Sequence, residues 1–238
     1  MSNKETFIYE GRDLEAMSFA PRYHHWILDH FEPYIGNTIV EVGAGTGTFS
    51  EILLQRFNKE ITMIEPSHEM IAQLKQRLEK YPEYNSEKVY RGFTSEISLS
   101  KPADTFFYVN VLEHIEKDEE ELAWMYQNLQ SGGHICIFVP ALPWLYGSLD
   151  EKVDHFRRYT RKKLIAKTEQ AGFEVSKAIY FDLPGVPLWW INFVLLRREM
   201  DPGAVHLYDK FVVPVLSNIE PSRFLPLGKN VLLVAQKK

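Results

Sequence analysis

Short apolar runs alternate along this chain with segments in which apolar residues recur every three or four positions. We predict strands for the run that starts at Ile39 and for residues 61–65, 88–92, 103–112 and 134–140, with a sixth strand starting within 171–175 and a last one at 231–235. Short buried runs of this kind, separated by helical patterns, are typical of a parallel sheet. The pattern therefore predicts an α/β fold.

Five segments, one before the first strand and four between later strands, have the spacing of helices that pack one face on a core. The first opens at Pro21, Ser67 and Thr160 cap the third and the fifth, and the turn at residues 131–133 ends the fourth. Their apolar positions are Tyr23, Trp26, Ile27 and Phe31; Phe49, Ile52, Leu53 and Phe57; Met70, Ile71, Leu74 and Leu78; Leu122, Met125, Tyr126 and Leu129; and Leu164, Ile165, Thr168 and Ala171.

A glycine-rich turn follows the first strand, which contains Glu41. The turn consists of Gly43, Ala44, Gly45, Thr46 and Gly47. A strand, a glycine turn and a helix present backbone N–H groups to a ligand, and a side chain on the turn would block the close approach. A dinucleotide-binding turn reads G-x-G-x-x-G, whereas here Thr48 stands in place of the last glycine.

The spacing G-x-G-x-G after an acid resembles the motif of class I S-adenosylmethionine-dependent methyltransferases. The resemblance implies a Rossmann-like, doubly wound, seven-stranded sheet that is mostly parallel with an antiparallel last strand. It also implies S-adenosyl-L-methionine as cofactor and S-adenosyl-L-homocysteine as product. Glu65, at the end of the second strand, is the expected ribose ligand because a carboxylate accepts hydrogen bonds from both hydroxyls of a diol.

The sequence L-E-H-I at residues 112–115 is similar to the small-molecule subgroup of this family and unlike the D/N-P-P-Y/F motif of enzymes that methylate nucleic-acid bases. Thr94 stands where the family often has an acid that binds adenine, so adenine recognition is expected from backbone groups and Phe93. The first helix either covers the cofactor or simply packs on the sheet, and Met70 either contacts adenine or belongs to the core. The residues expected around the cofactor are Tyr23, Glu41, Gly43, Ala44, Gly45, Gly47, Glu65, Pro66, Met70, Phe93, Thr94, Asn110, Val111 and Leu112.

A polar and aromatic loop follows the fifth strand. Residues 150–160 read DEKVDHFRRYT and, with the next helix, resemble the acceptor border in a subgroup of the family. The alternatives are a solvated basic face, formed by arginines 157, 158 and 161 with lysines 162 and 163, and a subsite for a phosphate or carboxylate group. The residues expected at the acceptor are Trp144, Tyr146, Arg158, Tyr159 and Trp189.

Two histidines are candidates for the catalytic base. A hydroxyl acceptor must lose a proton, and histidine is the natural base near neutral pH. The candidates for this base are His155, in the loop after the fifth strand, and His114, at the carboxyl end of the fourth strand. No metal is indicated, because the chain has neither H-E-x-x-H nor a cysteine cluster, although His114 with Glu113 leaves a metal site open.

Composition and apolar runs limit which partners the protein binds and where in the cell it is expected. The net charge of −5 argues against nucleic acid, whose phosphates attract basic surfaces. The single cysteine, Cys136, lies in an apolar run and is expected to be buried. The N-terminus lacks an apolar secretory segment, and the longest apolar run, residues 183–196, is too short for a transmembrane helix. We therefore expect a cytoplasmic location.

We expect residues 1–238 to form one methyltransferase domain, with a cover region at 1–36 and an insertion at 184–227. The insertion is rich in proline and aromatic residues and is interpreted as a substrate lid, a homodimer surface or a segment that touches lipid. The implied activity is methyl transfer to a small, partly apolar acceptor, with O-methylation favoured over N-methylation. The alternatives are a nicotinamide-dependent oxidoreductase and a non-catalytic cofactor-binding protein.

Overall fold

A seven-stranded sheet organises the molecule, whose computed structural model describes residues 20–81, 84–219 and 225–238. The strands follow the order β3-β2-β1-β4-β5-β7-β6. β7 runs antiparallel to both of its neighbours, and the other pairs are parallel. This is the Rossmann-like sheet expected from the sequence. The strands are β1 Thr38–Val42, β2 Glu60–Glu65, β3 Val89–Arg91, β4 Ala103–Val109, β5 Leu129–Pro140, β6 Glu174–Phe181 and β7 Asn230–Gln236.

Helices lie on both faces of this sheet. Successive side chains of a strand point to opposite faces, so the apolar side chains on each face need a covering layer. In β4, Phe106 and Phe107 are both fully buried but belong to separate hydrophobic clusters. The helices are α1 Pro21–Phe31, α2 Thr48–Arg56, α3 His68–Leu78, α4 Asp118–Asn128, α5 Ser148–Lys152, α6 Arg161–Gln170, α7 Gly185–Trp189, α8 Pro202–Leu207 and α9 Val213–Ile219. Short 3₁₀ turns occupy Glu32–Tyr34, Ser86–Lys88, Thr94–Glu96, Leu112–His114 and Pro143–Leu145.

The five helices expected from apolar spacing are all present. Pro21 stands at the start of α1, the Ser67 side chain accepts from the backbone of Met70, and Thr160 caps α6 by accepting from Lys163 N. Phe57 lies just beyond α2. Local capping chemistry therefore identified most of the helix starts correctly.

Two predicted boundaries were wrong. The fourth strand ends at Val109 rather than at residue 112, because Asn110 takes a left-handed conformation with φ 55°. The turn predicted at residues 131–133 lies inside β5, which already begins at Leu129, directly after α4. Gly132, with φ +81°, lies where the pairing of β5 with β4 shifts register, between Leu129 and His134.

The insertion between β6 and β7 is mostly helical where the structure describes it, with residues 196–201 and 225–227 outside the helices. Two π-helical turns, Trp190–Leu195 and Tyr208–Val212, continue α7 and join α8 to α9. Residues 220–224 of the insertion and residues 1–19 of the expected cover region lie outside the described residues.

Cys136 is fully buried in β5, as predicted, and burial raises the pKa of its thiol. Within the described ranges, no helix is both long enough and apolar enough to cross a membrane.

Candidate active site

A cavity opens at the carboxyl ends of β1, β4 and β5, where open α/β sheets bind ligands. Its volume is about 1020 Å³, including the part that opens to solvent. The antiparallel β7 contributes its first residue, Asn230, and the preceding Lys229 to the same edge. Of the residues expected at the cofactor and acceptor, the cavity brings together Tyr23, Glu41, Gly43, Ala44, Asn110, His155, Arg158 and Trp189.

The first glycine of the loop is required by its neighbours. Gly43 has φ +70°, and a Cβ built on it would lie 2.4 Å from Val111 Cγ2. Its N–H donates to the carbonyl of Ile64, at 2.8 Å. Val111 thus serves the site by packing behind the loop rather than by lining the cavity.

Glu65 joins the glycine loop to the next helix. One carboxylate oxygen accepts from Gly45 N and the other from Ser67 N, each at 2.8 Å. The residue is buried, and burial raises the pKa of its carboxyl against these two hydrogen bonds. Each oxygen keeps a second lone pair, so a ribose diol can still be accepted once it reaches the site.

Glu41 is a buried acid that lines the cavity. Burial raises its pKa to about 8, even though the Ser50 hydroxyl donates to its carboxylate at 2.6 Å and lowers it. At neutral pH the side chain is largely protonated, so it offers a hydroxyl donor as well as acceptors to a ligand.

The expected adenine corner is not part of this cavity. The Thr94 hydroxyl donates to Glu121, which also accepts from Tyr108, so Thr94 is held within a buried polar cluster. Phe93 is half exposed and Met70 is buried at the start of α3. The remaining expected residues that do not line the cavity are Gly45, Gly47, Glu65, Pro66, Val111, Leu112, His114, Trp144, Tyr146 and Tyr159.

Asp150 organises the acceptor side. Its Oδ1 lies 2.7 Å from His155 Nδ1 and 2.8 Å from Arg158 Nε, and both partners line the cavity. The Arg158 guanidinium also stacks 4.4 Å from the centre of the Trp189 ring. His155 and Arg158 lower the pKa of Asp150 against the effect of burial, so this carboxylate is charged.

The alternative of a solvated basic face is wrong for two of its arginines. The Arg158 side chain is fully buried, and Arg157 donates to the carbonyls of Ile115 and Glu116. Three expected acceptor residues turn away from the cavity. Tyr159 is buried and donates to Asp118, Tyr146 donates to the carbonyl of His155, and Trp144 is 55% exposed.

Glu113 and His114 lie beside this group. The Glu113 carboxylate is fully buried, and its Oε1 is 3.9 Å from His155 Nε2. Burial raises its pKa to about 7, while His155 lowers it. The rings of His114 and His155 meet edge to face with centroids 4.5 Å apart, and burial lowers the pKa of His114 to about 3.

Sequence reasoning missed Asp150, Lys229, Asn230 and His24 as members of the site. An antiparallel last strand places its first residues at the carboxyl edge of the sheet, so that expectation was a sufficient signal for Lys229 and Asn230. Nothing in the local sequence marks Asp150, because its role depends on contacts with His155 and Arg158.

Comparison with protein families matches residues 20–178, well over half of the chain, to a family described as "Methyltransferase domain". The chain belongs to the methyltransferase domain family. The class I S-adenosylmethionine-dependent enzyme predicted from the sequence is thereby confirmed, with S-adenosylmethionine as its cofactor. The family supports an enzyme of this kind, as predicted, over the oxidoreductase and the non-catalytic alternative.

Solved structures share the fold of this methyltransferase. One is a methyltransferase from Thermotoga maritima, with TM-score 0.65, 18% identity and coverage of 97% of this chain and 96% of that one. Another, from Archaeoglobus fulgidus, has TM-score 0.62, 18% identity and coverage of 94% and 99%. Phosphoethanolamine N-methyltransferase 2 from Haemonchus contortus, in complex with S-adenosyl-L-methionine, has TM-score 0.65, 13% identity and coverage of 99% and 58%. No curated protein sequence matches the chain.

The cavity fits the cofactor of this family. The backbone of Gly43 and a buried, mostly protonated acid at Glu41 both line the cavity and together provide a close, polar wall. Asn110, held in a left-handed conformation by its N–H donating to the Phe138 carbonyl, lines the same wall.

Proposed function

We propose that this methyltransferase transfers the methyl group of S-adenosylmethionine to a hydroxyl of a small, partly apolar acceptor. The observation that carries the proposal is the Asp150–His155 pair in the wall of the cavity that also contains the glycine loop. Leu149, Val153 and Met200 give the same region apolar surface, which suits an acceptor with a hydrocarbon part.

The cofactor is held at the β1 and β4 side of the cavity. Gly43 and Ala44 allow the close backbone approach, Glu41 and Asn110 offer polar atoms, and Tyr23 closes the wall from α1. Glu65 binds the ribose, and Gly45, Gly47, Pro66, Met70, Phe93, Thr94, Val111 and Leu112 support the nucleoside end of the site. When bound, the cofactor supplies a sulfonium methyl group, which is the electrophile.

His155 is the general base in this proposal. Asp150 accepts from its Nδ1 and so fixes the tautomer in which Nε2 is a proton acceptor directed toward Glu113. The acceptor hydroxyl would give its proton to Nε2 as its oxygen bonds to the methyl carbon and the bond from that carbon to sulfur breaks, which leaves S-adenosylhomocysteine. His114 is the weaker candidate, because it does not line the cavity.

Arg158 and Trp189 orient the acceptor. The stacked pair forms a flat, positively charged wall, and Lys229 adds a second cation 5.8 Å from the same ring. Trp144, Tyr146 and Tyr159 act from behind this wall: Tyr146 holds the His155 backbone and Tyr159 holds the loop to Asp118.

N-methylation is the second candidate. The buried Glu113 carboxylate suits a cationic or neutral amine, and the Haemonchus contortus neighbour is an N-methyltransferase. A protonated amine must lose a proton before its nitrogen can attack, so a cationic acceptor would also use a base in the cavity.

The insertion at 184–227 serves as a lid and as a homodimer surface in this proposal, and residues 1–238 act as one domain. Trp189 and Met200, both from the insertion, line the cavity. Nucleic acid is not the expected partner of a chain with net charge −5. The cytoplasmic location expected from the sequence stays a prediction.

Calorimetric titration with S-adenosylmethionine and S-adenosylhomocysteine tests the cofactor site, with NAD as control. We expect micromolar binding of both sulfur compounds, and a loss of about tenfold or more, ~1.4 kcal/mol, in Glu65→Ala. Glu60→Ala, at the opposite end of β2, where the carboxylate pairs with Lys88 and Lys101, is the matched control. Binding that is equal in Glu65→Ala and wild type would remove Glu65 from the site.

A panel of hydroxyl and amine acceptors then tests the reaction. With an accepted hydroxyl compound, we expect His155→Ala to lower kcat by about 10²-fold or more and His114→Ala to lower it far less. Full turnover in both variants would refute a histidine base. Methyl transfer to amines alone would support the second candidate function.

A further inference from the structure

Glu113 is a buried acid whose carboxylate has no clear hydrogen-bond donor among the described residues. Its side chain has no exposed surface, and neither carboxylate oxygen makes a well-formed hydrogen bond to another described residue. A buried acceptor without a donor costs about 1–3 kcal/mol, and more when it is charged. Because Glu113 lines the cavity, the missing partner has room to bind there.

Two histidines lie close enough to share that partner. Ligand atoms of Glu113, His114 and His155 all lie within 4.8 Å of one another. The donor atoms of a tetrahedral metal site, about 2.0–2.2 Å from the ion, are roughly 3.5 Å apart. Small side-chain rotations therefore bring the three groups to ligating distance, starting from 3.9 Å between Glu113 Oε1 and His155 Nε2.

The histidines also have the outer partners that metal ligands require. His155 Nδ1 is bound to the Asp150 carboxylate at 2.7 Å, which leaves Nε2 as the ligating nitrogen. His114 is hydrogen-bonded to the backbone of Val153. A carboxylate or a carbonyl behind each imidazole fixes the ring and its tautomer in metal sites.

We propose that Glu113, His114 and His155 bind a divalent first-row transition-metal cation at the acceptor end of the cavity. Two imidazoles and one carboxylate favour zinc, cobalt, iron or manganese over magnesium and calcium, which prefer oxygen ligands. Three protein ligands leave coordination positions that face the cavity, and an oxygen of the acceptor fits there.

His155 Nε2 can either bind the cation or accept the proton of the acceptor, but it cannot do both at once. A cation on His155 Nε2 occupies the lone pair that would take the acceptor proton. In the metal-loaded protein the cation would lower the pKa of a bound hydroxyl, whose proton would pass to solvent. The oxygen would then bond to the methyl carbon as the methyl–sulfur bond breaks, which leaves S-adenosylhomocysteine. Removal of metal by a chelator then abolishes turnover if the cation is used, and leaves it unchanged if His155 is the base.

Titration of chelator-treated protein with Co²⁺ and with Zn²⁺ tests the site without any acceptor. We expect one cation per chain, with a Kd on the order of micromolar or tighter, and visible Co²⁺ absorption typical of low coordination number. Glu113→Gln and His155→Ala each weaken binding tenfold or more. His68→Ala removes an exposed histidine at the start of α3 and leaves binding unchanged.

Thermal unfolding of each variant shows whether it is folded. Absence of binding in the wild type, or binding that is equal in the wild type and in folded Glu113→Gln and His155→Ala, overturns the proposal. These results do not depend on methyl transfer, so the metal site and the proposed reaction fail separately.

Discussion

The Val111 side chain leaves no room for a Cβ at position 43, so that position requires glycine. The glycine pattern alone indicates that a ligand approaches the turn, but the structure shows that the first glycine also makes room for the Val111 side chain. Gly43→Ala therefore adds a close contact to an unfavourable positive φ, and we expect it to cost about 2–4 kcal/mol of stability and to weaken cofactor binding.

The matched control is Gly132→Ala. That glycine also has a positive φ, +81°, but nothing lies within 4 Å of its Cβ position. We expect it to cost only about 1–2 kcal/mol. Denaturant unfolding and cofactor titration of both variants make the comparison, and equal effects would show that the Val111 contact is unimportant.

Glu41 makes stability depend on pH. Its pKa is raised to about 8 by burial, so the unfolded chain releases this proton at lower pH than the folded one. The contribution of Glu41 is complete below the unfolded pKa of about 4.5, and it is lost at up to about 1.4 kcal/mol per pH unit as pH rises toward 8.

Glu41→Gln isolates this effect, because its amide keeps an acceptor for Ser50 and does not ionise. The comparison is needed since His24, with its pKa lowered by burial to about 4, makes stability rise with pH below its unfolded pKa of 6.5. We expect the stability of the wild type relative to Glu41→Gln to fall between pH 5 and pH 8 in urea unfolding. A difference that is independent of pH would mean that Glu41 is ionised in the fold.

Residue spacing singled out two residues that line the cavity, Glu41 and Gly43, because one stands near the end of a strand and the other in the turn after it. The ribose role of Glu65 stays a prediction. Glu113 and Asp150 act through contacts between loops after β4 and β5, and no spacing along the chain encodes the 3.9 Å between Glu113 and His155.

At the scale of elements, α1 is tied to the insertion by buried acids. Asp209 accepts from the backbone N–H groups of Arg22 and Tyr23, the first of them at 3.2 Å and the second at 2.8 Å. Asp182, after β6, accepts from the hydroxyls of Tyr23 and Tyr208. The start of α1, the expected cover helix, is therefore held by Asp209 of the insertion, which lies far from it in sequence.

Removal of the Asp209 carboxylate should loosen this cover. Asp209→Ala leaves two N–H groups of the first turn without their acceptor, and we expect a cost of about 1–2 kcal/mol and faster hydrogen exchange at the start of α1. Asp201→Ala is the control, because Asp201 is an exposed cap that serves only its own helix, α8. Unchanged exchange in Asp209→Ala would show that the cover is held by other contacts.

Element boundaries were predictable where a local signal existed. Caps at Ser67 and Thr160 marked helix starts, whereas the end of β4 depends on the conformation of Asn110, whose N–H is taken by Phe138 of β5. A hydrogen bond to a neighbouring strand leaves no trace in the apolar pattern, so the run of apolar residues overestimated this strand.

At the scale of the whole molecule, strand order explains why the site is where it is. The sheet order places β4 and β1 side by side at its centre, and the loops after them meet. Alternating strands and helices predicted this class of sheet from the sequence. The order of the strands came only with the structure, because pairing across a sheet is not encoded in local periodicity.

The outer surface of the insertion gives the last prediction. Leu207, Phe211 and Val215 recur every four residues, yet they are 56%, 62% and 55% exposed. An exposed apolar row of this kind marks a contact surface, and a two-fold dimer buries one such patch against its own copy. We therefore expect the protein to be a homodimer of 27.8 kDa chains at micromolar concentration.

Phe211→Glu should convert that dimer into a monomer, because a charge at the centre of the row cannot be buried without a partner. Phe156→Glu, which makes the same change at a similarly exposed position outside the insertion, should leave the mass unchanged. Light scattering after size exclusion measures both. A wild type that is monomeric at all concentrations contradicts the dimer. If that monomer binds lipid vesicles and Phe211→Glu abolishes the binding, the row is a lipid-contacting surface instead.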